Sequence, residues 1–151
     1  MVQARVAKKD PAAIFFLGQQ YFLGKRGLQQ DARKAVELYT EAAKLGSVDA
    51  LPHLGYAYLR GEGVKRDDVQ AMKFFQKGAI QGDAESRHKL GYKKGLMGEH
   101  DRAVKHLLIS AKMGHEESLN TIKKMCMAKL ATKEHYGQAL KGYQDAVEET
   151  K

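Results

Sequence analysis

The sequence repeats itself, and this internal repetition restricts the possible folds more than any other feature does. One series comprises four similar segments: KAVELYTEAAKLG (34–46), QAMKFFQKGAIQG (70–82), RAVKHLLISAKMG (102–114) and QALKGYQDAVEET (138–150). They share an alanine at spacings of 36, 32 and 36 residues, namely Ala35, Ala71, Ala103 and Ala139. A period of this length is typical of repeat proteins, in which a small unit buries its apolar face by stacking on its neighbours.

A second series of segments precedes the first, member by member. It comprises AIFFLGQQYFLG (13–24), ALPHLGYAYLRG (50–61), SRHKLGYKKGLM (86–97) and SLNTIKKMCMAK (118–129). These align at spacings of 37, 36 and 32 residues, on Leu17, Leu54, Leu90 and Ile122. Two series with matching spacings predict a chain built from four copies of a two-segment unit.

The segments have the periodicity and the end signals of amphipathic helices. Apolar residues of the first series recur at three- and four-residue steps, as in Ala35, Leu38, Tyr39, Ala42 and Ala43. Asp31 and Asp67 stand where an N-cap accepts the first backbone N–H groups of a helix. Three glycines stand where a left-handed residue ends a helix: Gly46, Gly82 and Gly114.

Glycines inside the helices of the second series predict close packing. Glycine costs a helix about 1 kcal/mol relative to alanine. The recurrence of Gly18, Gly55 and Gly91 at one repeat position therefore indicates the close approach of a neighbouring helix. Pro52 fits a helix only in its first turn, which predicts a helix start near Asp49.

We therefore predict an all-α fold, an α–α superhelix (solenoid) of four antiparallel helix pairs without strands. Residues 1–10 are predicted to form an N-terminal tail, and residues 11–151 a single domain. The repeats are predicted at about residues 11–46, 47–82, 83–114 and 115–151.

The stretch LGYAYLRGEGVKRDD (54–68) has two interpretations, a phosphate-binding loop or a turn between helices. A phosphate loop needs its glycines between a strand and a helix, followed by lysine and a hydroxyl residue. Here a helix is predicted before Gly61, and no GK[ST] follows. GKRGLQQDA (24–32) holds the same place one repeat earlier, and the shorter GEHDRA (98–103) holds it one repeat later. We interpret the stretch as an interhelical turn.

The composition narrows the class of protein. Hydrophobic residues make up 43% and charged residues 29%, which is ordinary for a globular domain. The N-terminal MVQARVAKKD lacks the apolar core of a signal peptide, and no run approaches the ~18 apolar residues of a membrane span. One cysteine, Cys126, allows no intrachain disulfide. We expect a cytoplasmic protein, with the nucleus as the alternative.

The net charge of +8 leaves two interpretations open. A basic surface can bind RNA or another polyanion, or it can be solvated and without a specific partner. Lysines alternate with acids in segments such as DARKAVE and EHDRAVK, which favours the second interpretation. Lys93–Lys94 and Lys123–Lys124 fall in corresponding regions of adjacent repeats and would form a basic stripe under the first.

The repeat resembles that of the Sel-one-like repeat family (SLR), a relative of the tetratricopeptide repeat. The family pattern is A-x-x-x-L-G-x-x-Y-x-x-G-x-G-V-x-x-D, followed by an alanine-rich helix that ends in glycine. Residues 50–82 match nearly throughout, and residues 13–46 match with one inserted residue. The third repeat keeps Leu90 and Gly91, whereas the fourth has Lys123 for the glycine and Cys126 for the tyrosine. The resemblance covers about residues 11–149.

The resemblance implies a solenoid whose concave face is lined by the first helix of each pair. It further implies a non-enzymatic adaptor in protein assemblies, such as those of protein quality control, cell-wall enzyme activation and signalling. We predict that the chain binds a peptide or helix of a partner protein in the concave groove. The alternative is binding of RNA or another polyanion through the basic surface.

Residues for the groove follow from the family pattern, in which the residue after the L-G pair points to the concave side. These positions are Gln19, Tyr56, Tyr92 and Lys124. Neighbours three or four residues away on the same helix face are His53, Arg60, His88, Asn120 and Met127. The set has no acid, which predicts a partner with an acidic or carboxylate-bearing segment and apolar anchors. The alternative for Tyr56 and Tyr92 is packing between helices.

The sequence gives little support for a metal site or a catalytic site. HEESL (115–119) begins like the zinc-protease pattern H-E-x-x-H, but Leu119 replaces the second histidine ligand. We interpret it as a glutamate-rich helix start. His53 and His88 lack a cysteine or carboxylate cluster that would complete a zinc site, and we interpret them as a polar groove lining. Cys126 is predicted to be a buried, inert thiol. We predict no metal, no cofactor and no enzymatic activity.

The two ends of the chain differ in the polarity of their helices. The last helix has a polar outer face around the stripe Tyr136, Ala139, Leu140, Tyr143 and Val147. The first, AAIFFLGQQYFL (12–23), is apolar on most of its circumference. We predict that Ile14, Phe15, Phe16 or Phe22 is covered by the N-terminal tail, by an upstream repeat or by a second subunit. Self-association through this helix is one expected interaction.

Overall fold

The structure, a computed structural model, describes residues 9–25, 27 and 29–149, and within them the chain is entirely helical. Eight α-helices follow one another, and no strand occurs in this part of the chain. They are α1 (Pro11–Leu23), α2 (Ala32–Lys44), α3 (Ala50–Arg60), α4 (Asp68–Ile80), α5 (Ala84–Leu96), α6 (His100–Lys112), α7 (Glu116–Met127) and α8 (Lys133–Glu149). The predicted all-α fold of four helix pairs is confirmed. Most of the predicted tail, residues 1–8, lies outside the described residues.

The chain divides into two compact units, Met1–Gln81 and Gly82–Lys151. In the first unit α1 packs on α2, α3 packs on α4, and α2 joins the two pairs by packing on α3. Its core is a cluster of buried side chains from the first three helices: Ile14, Ala35, Val36, Tyr39, Ala42, Ala50, Leu54 and Ala57.

The second unit contains α5 to α8, and α6 is its central helix. α6 packs on α5, α7 and α8. The core cluster again comes from facing helices, with Leu107, Ala111, Leu119, Ile122 and Ala139. Tyr136, Leu140 and Tyr143 of α8 pack against this cluster, as its apolar stripe predicts. Val147, at the end of the stripe, is 36% exposed.

The helix ends follow the predicted signals. Asp31 and Asp67 each accept a backbone N–H three residues ahead at 3.0 Å, as N-caps do. α3 begins at Ala50, with Pro52 inside its first turn. The three predicted terminal glycines are all left-handed, with φ between 90° and 102°: Gly46, Gly82 and Gly114.

Three internal glycines mark close helix contacts, as predicted. A Cβ added at Gly55 would lie 2.6 Å from the ring of Phe75 on the paired helix. At Gly18 it would lie 2.9 Å from the Tyr39 ring, and at Gly91 it would lie 3.0 Å from Leu107. Because a larger residue would push the helices apart, these positions set the spacing within the first three pairs.

The stretch around Gly61 is a turn between helices, as predicted. Gly61 and Gly63 have φ of 70° and 77°, which other residues rarely adopt. A side chain at Gly63 would also collide with the carbonyl of Ala32 at the start of α2. Gly61 and Gly63 therefore allow the turn to pack tightly against the start of α2, in the preceding helix pair.

The apolar first helix is largely covered inside its own unit. Ile14 is fully buried in the core cluster, and Phe15 and Phe22 are partly buried against it. Phe16 is also half-buried. The contacts with α2 and α3 explain how most of this helix is covered. Whether the tail, an upstream repeat or a second subunit adds cover remains a prediction.

The predictions about Cys126 and about the basic stripe need correction. Cys126 is half-buried, not fully buried, because α7 carries it near the end of the helix, where less of the unit covers it. Lys94 pairs with Glu99 at 3.2 Å, whereas Lys93, Lys123 and Lys124 are exposed. Within the described residues, none of the helices has the length and apolar character that crossing a membrane requires.

Candidate functional site

A pocket in the first unit gathers three of the residues predicted to bind a partner. It has a volume of about 200 Å³ and lies among α1, α2, α3 and the turn that follows α3. Its lining is largely aromatic: Phe22, Val36, Tyr39, His53, Tyr56, Ala57, Arg60 and Glu62.

The helix α3 supplies the predicted residues of the pocket from one face. His53, Tyr56 and Arg60 are separated by three and four residues and therefore lie along one side of the helix. The tight contact of Gly55 with Phe75 seats the opposite side of α3 against α4. The glycine of the repeat pattern thus determines that the face of α3 with His53, Tyr56 and Arg60 borders the pocket.

His53 forms part of the aromatic wall. Its ring centroid lies 5.0 Å from that of Phe15 and 5.2 Å from that of Tyr39. Its Nδ1 lies 2.9 Å from the carbonyl oxygen of Asp49, and an N–H at Nδ1 donates to that oxygen. This bond leaves Nε2 as the acceptor of the neutral ring and fixes the ring orientation.

Tyr39 forms the floor of the pocket. Its side chain is only 3% exposed. Burial disfavours the phenolate and raises the pKa of Tyr39 to about 12. Tyr39 therefore remains a neutral hydroxyl at any physiological pH and offers shape and a hydrogen bond, not a nucleophile.

Tyr56 packs between helices and also borders the pocket. Its ring packs edge-on against Phe75, with centroids 5.2 Å apart, and it also lines the pocket. The guanidinium carbon of Arg60 lies 4.7 Å from its ring centroid. Arg60 is additionally 4.0 Å from Glu62, with both side chains substantially exposed, and such surface pairs contribute little.

Gln19, the corresponding residue of α1, is half-buried. It lies outside the set of described residues that line the pocket. Its placement therefore gives no support to a role beside His53, Tyr56 and Arg60. Phe22 and Tyr39, which sequence reasoning missed, take part instead, because the pocket forms between helices of two successive pairs.

The predicted residues of the second unit divide between its surface and its interior. Tyr92 is 49% exposed and borders an apolar pocket of about 170 Å³, whose other lining residues include Leu96, Met125 and Leu130. Asn120, Lys124 and Met127 are exposed on α7. Their exposure is compatible with binding a partner.

His88 is buried, in contrast to the expected polar groove lining. It is 2% exposed, and its Nδ1 lies 2.7 Å from the hydroxyl oxygen of Ser118. Burial lowers the pKa of His88, while Glu117 acts in the opposite direction. The imidazole ring of His88 is therefore a buried polar group of the second unit and is not exposed for contact with a partner.

Comparison with known proteins identifies the repeat. The model of the Sel1 repeat family matches residues 11–47, 49–83 and 84–115. The chain is 32% identical over 98 residues to the ERAD-associated E3 ubiquitin-protein ligase component HRD3B of Arabidopsis thaliana, a match of 63% of this chain and 15% of that protein. It is 32% identical over 91 residues to chitin synthase regulatory factor 3 of Schizosaccharomyces pombe, a match of 59% of this chain and 10% of that protein. The matched region is thus a small part of both relatives.

The fold is also similar to a solved structure, a Sel1 repeat protein from Oxalobacter formigenes. The TM-score is 0.81 at 24% sequence identity, over 97% of this chain and 62% of that chain. At this identity the likeness concerns the fold alone. The three matched repeats, which cover well over half of the chain, show that this protein belongs to the Sel1 repeat family.

Proposed function

We propose that this chain is a non-enzymatic interaction module that binds a peptide or helix of a partner protein. The pocket of the first unit accepts one apolar side chain of that partner, and Arg60 pairs with an acidic group beside it. The observation that carries the proposal is the aromatic pocket itself, which unites His53, Tyr56 and Arg60 with Phe22 and Tyr39.

The size and lining of the pocket support a side-chain anchor. A cavity of about 150 Å³ accommodates a molecule the size of benzene. The 200 Å³ pocket is thus large enough for one leucine or aromatic side chain. It is smaller than the ~300–1,000 Å³ typical of sites for small-molecule ligands.

The exposed Arg60 supports an acidic partner. Tyrosine and arginine are common binding hot spots, because they combine large contact area with a polar group. The weak pair of Arg60 with Glu62 can be exchanged for a carboxylate of the partner at little cost. The net charge of +8 acts in the same direction by attracting acidic segments.

The relatives support the adaptor role. One is named as a component of a ubiquitin ligase and another as a regulatory factor of chitin synthase. Both names describe proteins that act with other proteins. We extend this role to the present chain, without catalysis of its own and in the cytoplasm. In the second unit, exposed Tyr92, Asn120 and Lys124 are the residues we assign to partner contact.

A displayed peptide library tests the proposal with random sequences in place of the natural partner. The full chain should select peptides with an apolar anchor next to aspartate or glutamate. Affinity of a selected peptide is then measured by fluorescence anisotropy for the wild type and for Arg60→Ala. Loss of an exposed ion pair with the carboxylate of the peptide costs about 0.2–1 kcal/mol, which weakens binding about 1.4- to five-fold.

Arg66→Ala is the matched control. Arg66 lies in the same turn but pairs with Asp68 and does not line the pocket among the described residues. Equal effects of Arg60→Ala and Arg66→Ala would place binding elsewhere. If a labelled RNA oligonucleotide binds more tightly than any peptide and is released steeply by salt, polyanion binding replaces peptide binding as the function.

A further inference from the structure

A cluster of potential metal ligands lies in the second unit, at the start of two helices. Glu85 stands in the first turn of α5, His115 is the N-cap of α7, and Glu117 stands in its first turn. One ligand atom of each residue lies within 4.8 Å of the others. His115 Nε2 and Glu85 Oε2 are 2.7 Å apart.

The repeat architecture explains why these three residues meet. Each pair begins with a short turn and a helix N-terminus, where acidic residues are favoured by the helix dipole. α6 packs on both α5 and α7, and the contact of His115 with Glu85 shows that the starts of these two helices lie close together. His115 thereby bridges to Glu85, a residue 30 positions earlier in the sequence.

Hydrogen bonds hold the imidazole of His115 in place. Ser118 is fully buried, and its Oγ lies 3.0 Å from His115 Nδ1 and 2.7 Å from His88 Nδ1. His88 Nε2 in turn lies 3.5 Å from Glu117 Oε1. Such partners behind a ligand fix its orientation and raise metal affinity.

We propose that Glu85, His115 and Glu117 form a binding site for a divalent transition-metal ion, with Zn²⁺ the best match. Nε2 of His115 and one carboxylate oxygen from each glutamate are the ligands, and a water molecule completes a tetrahedron. Two carboxylates neutralise the +2 charge of the ion. A mixed nitrogen and oxygen set of three ligands with an open position suits Zn²⁺.

The geometry needs only a small adjustment to hold the ion. Bonds of about 2.0–2.2 Å in a tetrahedron place neighbouring ligand atoms about 3.3 Å apart. The 2.7 Å contact between His115 and Glu85 must widen accordingly. Glu117 has a 69% exposed side chain and is free to rotate toward the ion.

The protons of the cluster can rearrange without net gain or loss. With the ion on Nε2, the proton of the His115 ring resides on Nδ1 and donates to Ser118 Oγ. The Ser118 hydroxyl then donates to His88 Nδ1, and His88 Nε2–H donates to Glu117. The weak 3.3 Å bond from the Ser118 backbone N–H to His115 Nδ1 is lost in exchange.

Calorimetric titration of the full chain with ZnCl₂ tests the site. The wild type should bind one equivalent, and Glu117→Gln should weaken that binding at least tenfold, because the amide lacks the negative charge. The matched control is Glu116→Gln, an exposed neighbour on the same turn that lies outside the cluster. Co²⁺ bound at the site should give the intense visible absorption of tetrahedral coordination, and Mg²⁺ should not compete.

The outcomes separate this site from surface binding and from unfolding. Absence of Zn²⁺ binding, or equal binding by Glu117→Gln and Glu116→Gln, would overturn the proposal. His115→Asn should abolish the Co²⁺ spectrum while helicity by circular dichroism is retained. If His115→Asn unfolds, Glu85→Gln takes its place as the test variant. An unchanged Zn²⁺ affinity of folded Glu85→Gln would refute the site.

Discussion

The guanidinium carbon of Arg60 lies 4.7 Å from the ring centroid of Tyr56, one helical turn earlier on α3. The ring of Tyr56 is held in turn by Phe75, 5.2 Å away. A half-buried residue between helices thus supports an exposed cation at the rim of a pocket. Because Tyr56 packs against α4 as well as lining the pocket, substitutions at Arg60 should separate the proposed binding from stability better than substitutions at Tyr56.

Gly55→Ala should destabilise the chain, because the added Cβ would lie 2.6 Å from the Phe75 ring. Overpacking of this kind costs about 1–3 kcal/mol of the free energy of unfolding. Urea denaturation followed by circular dichroism measures it. Gly137→Ala is the control: no described atom lies within 4 Å of a Cβ there, and alanine should stabilise α8 by up to about 1 kcal/mol. Destabilisation of both variants alike would contradict the assigned role of Gly55.

Asp67→Ala should lower the free energy of unfolding by about 1 kcal/mol, the usual cost of losing an N-cap. Asp67 accepts the backbone N–H of Gln70 at 3.0 Å. Asp49 offers a comparison at the start of α3, since its side chain makes no capping bond within the described residues. Asp49→Ala should therefore cost clearly less in the same urea titration. A larger loss at Asp49 than at Asp67 would show that the caps are assigned wrongly.

Acidification should destabilise the protein through His88. Burial lowers the pKa of this histidine in the folded chain below its usual value near 6.5, so the unfolded chain binds more protons. The surrounding charges are Glu117, His115, Glu85 and Lys89. The stability that the neutral ring contributes is present above about pH 6.5 and is lost as the pH falls through the folded pKa.

The check is the free energy of unfolding between about pH 7.5 and 5 for the wild type and His88→Asn. The slope against pH should be shallower in the variant. A residual slope is expected from His106, whose pKa is lowered by burial and by Arg87 and Lys94. Identical slopes in the two proteins would contradict the prediction, because they would mean that His88 binds protons equally in the folded and unfolded chains.

Tyr92→Ala combined with Lys124→Ala should abolish partner binding and leave the thermal midpoint nearly unchanged. Both side chains are exposed in the second unit, so little packing is lost. The readouts are anisotropy of the selected peptide and the melting curve. Unfolding of the double variant would assign these residues to the core. Normal binding by a well-folded variant would confine the interface to the pocket that contains Arg60.

Local signals in the sequence determined the helices and their ends. The apolar spacing, the N-caps Asp31 and Asp67 and the terminal glycines act within one turn of the chain, so they can be recognised before the fold is considered. The repeat of Gly18, Gly55 and Gly91 even revealed where helices approach closely. This signal is also local, because each of these glycines contacts the next helix in the sequence.

Tertiary structure alone decided which polar residues meet. The sequence indicated that His88 faces a groove and that HEESL lacks a second ligand. In the folded chain His88 is buried against Ser118, and Glu85 reaches His115 across 30 residues. Likewise, Tyr39 completes the pocket of Arg60 from another helix pair. Helix periodicity specifies the side of one helix a residue occupies, whereas the rotation and depth of neighbouring helices depend on how whole faces pack, and these set the partners of each side chain.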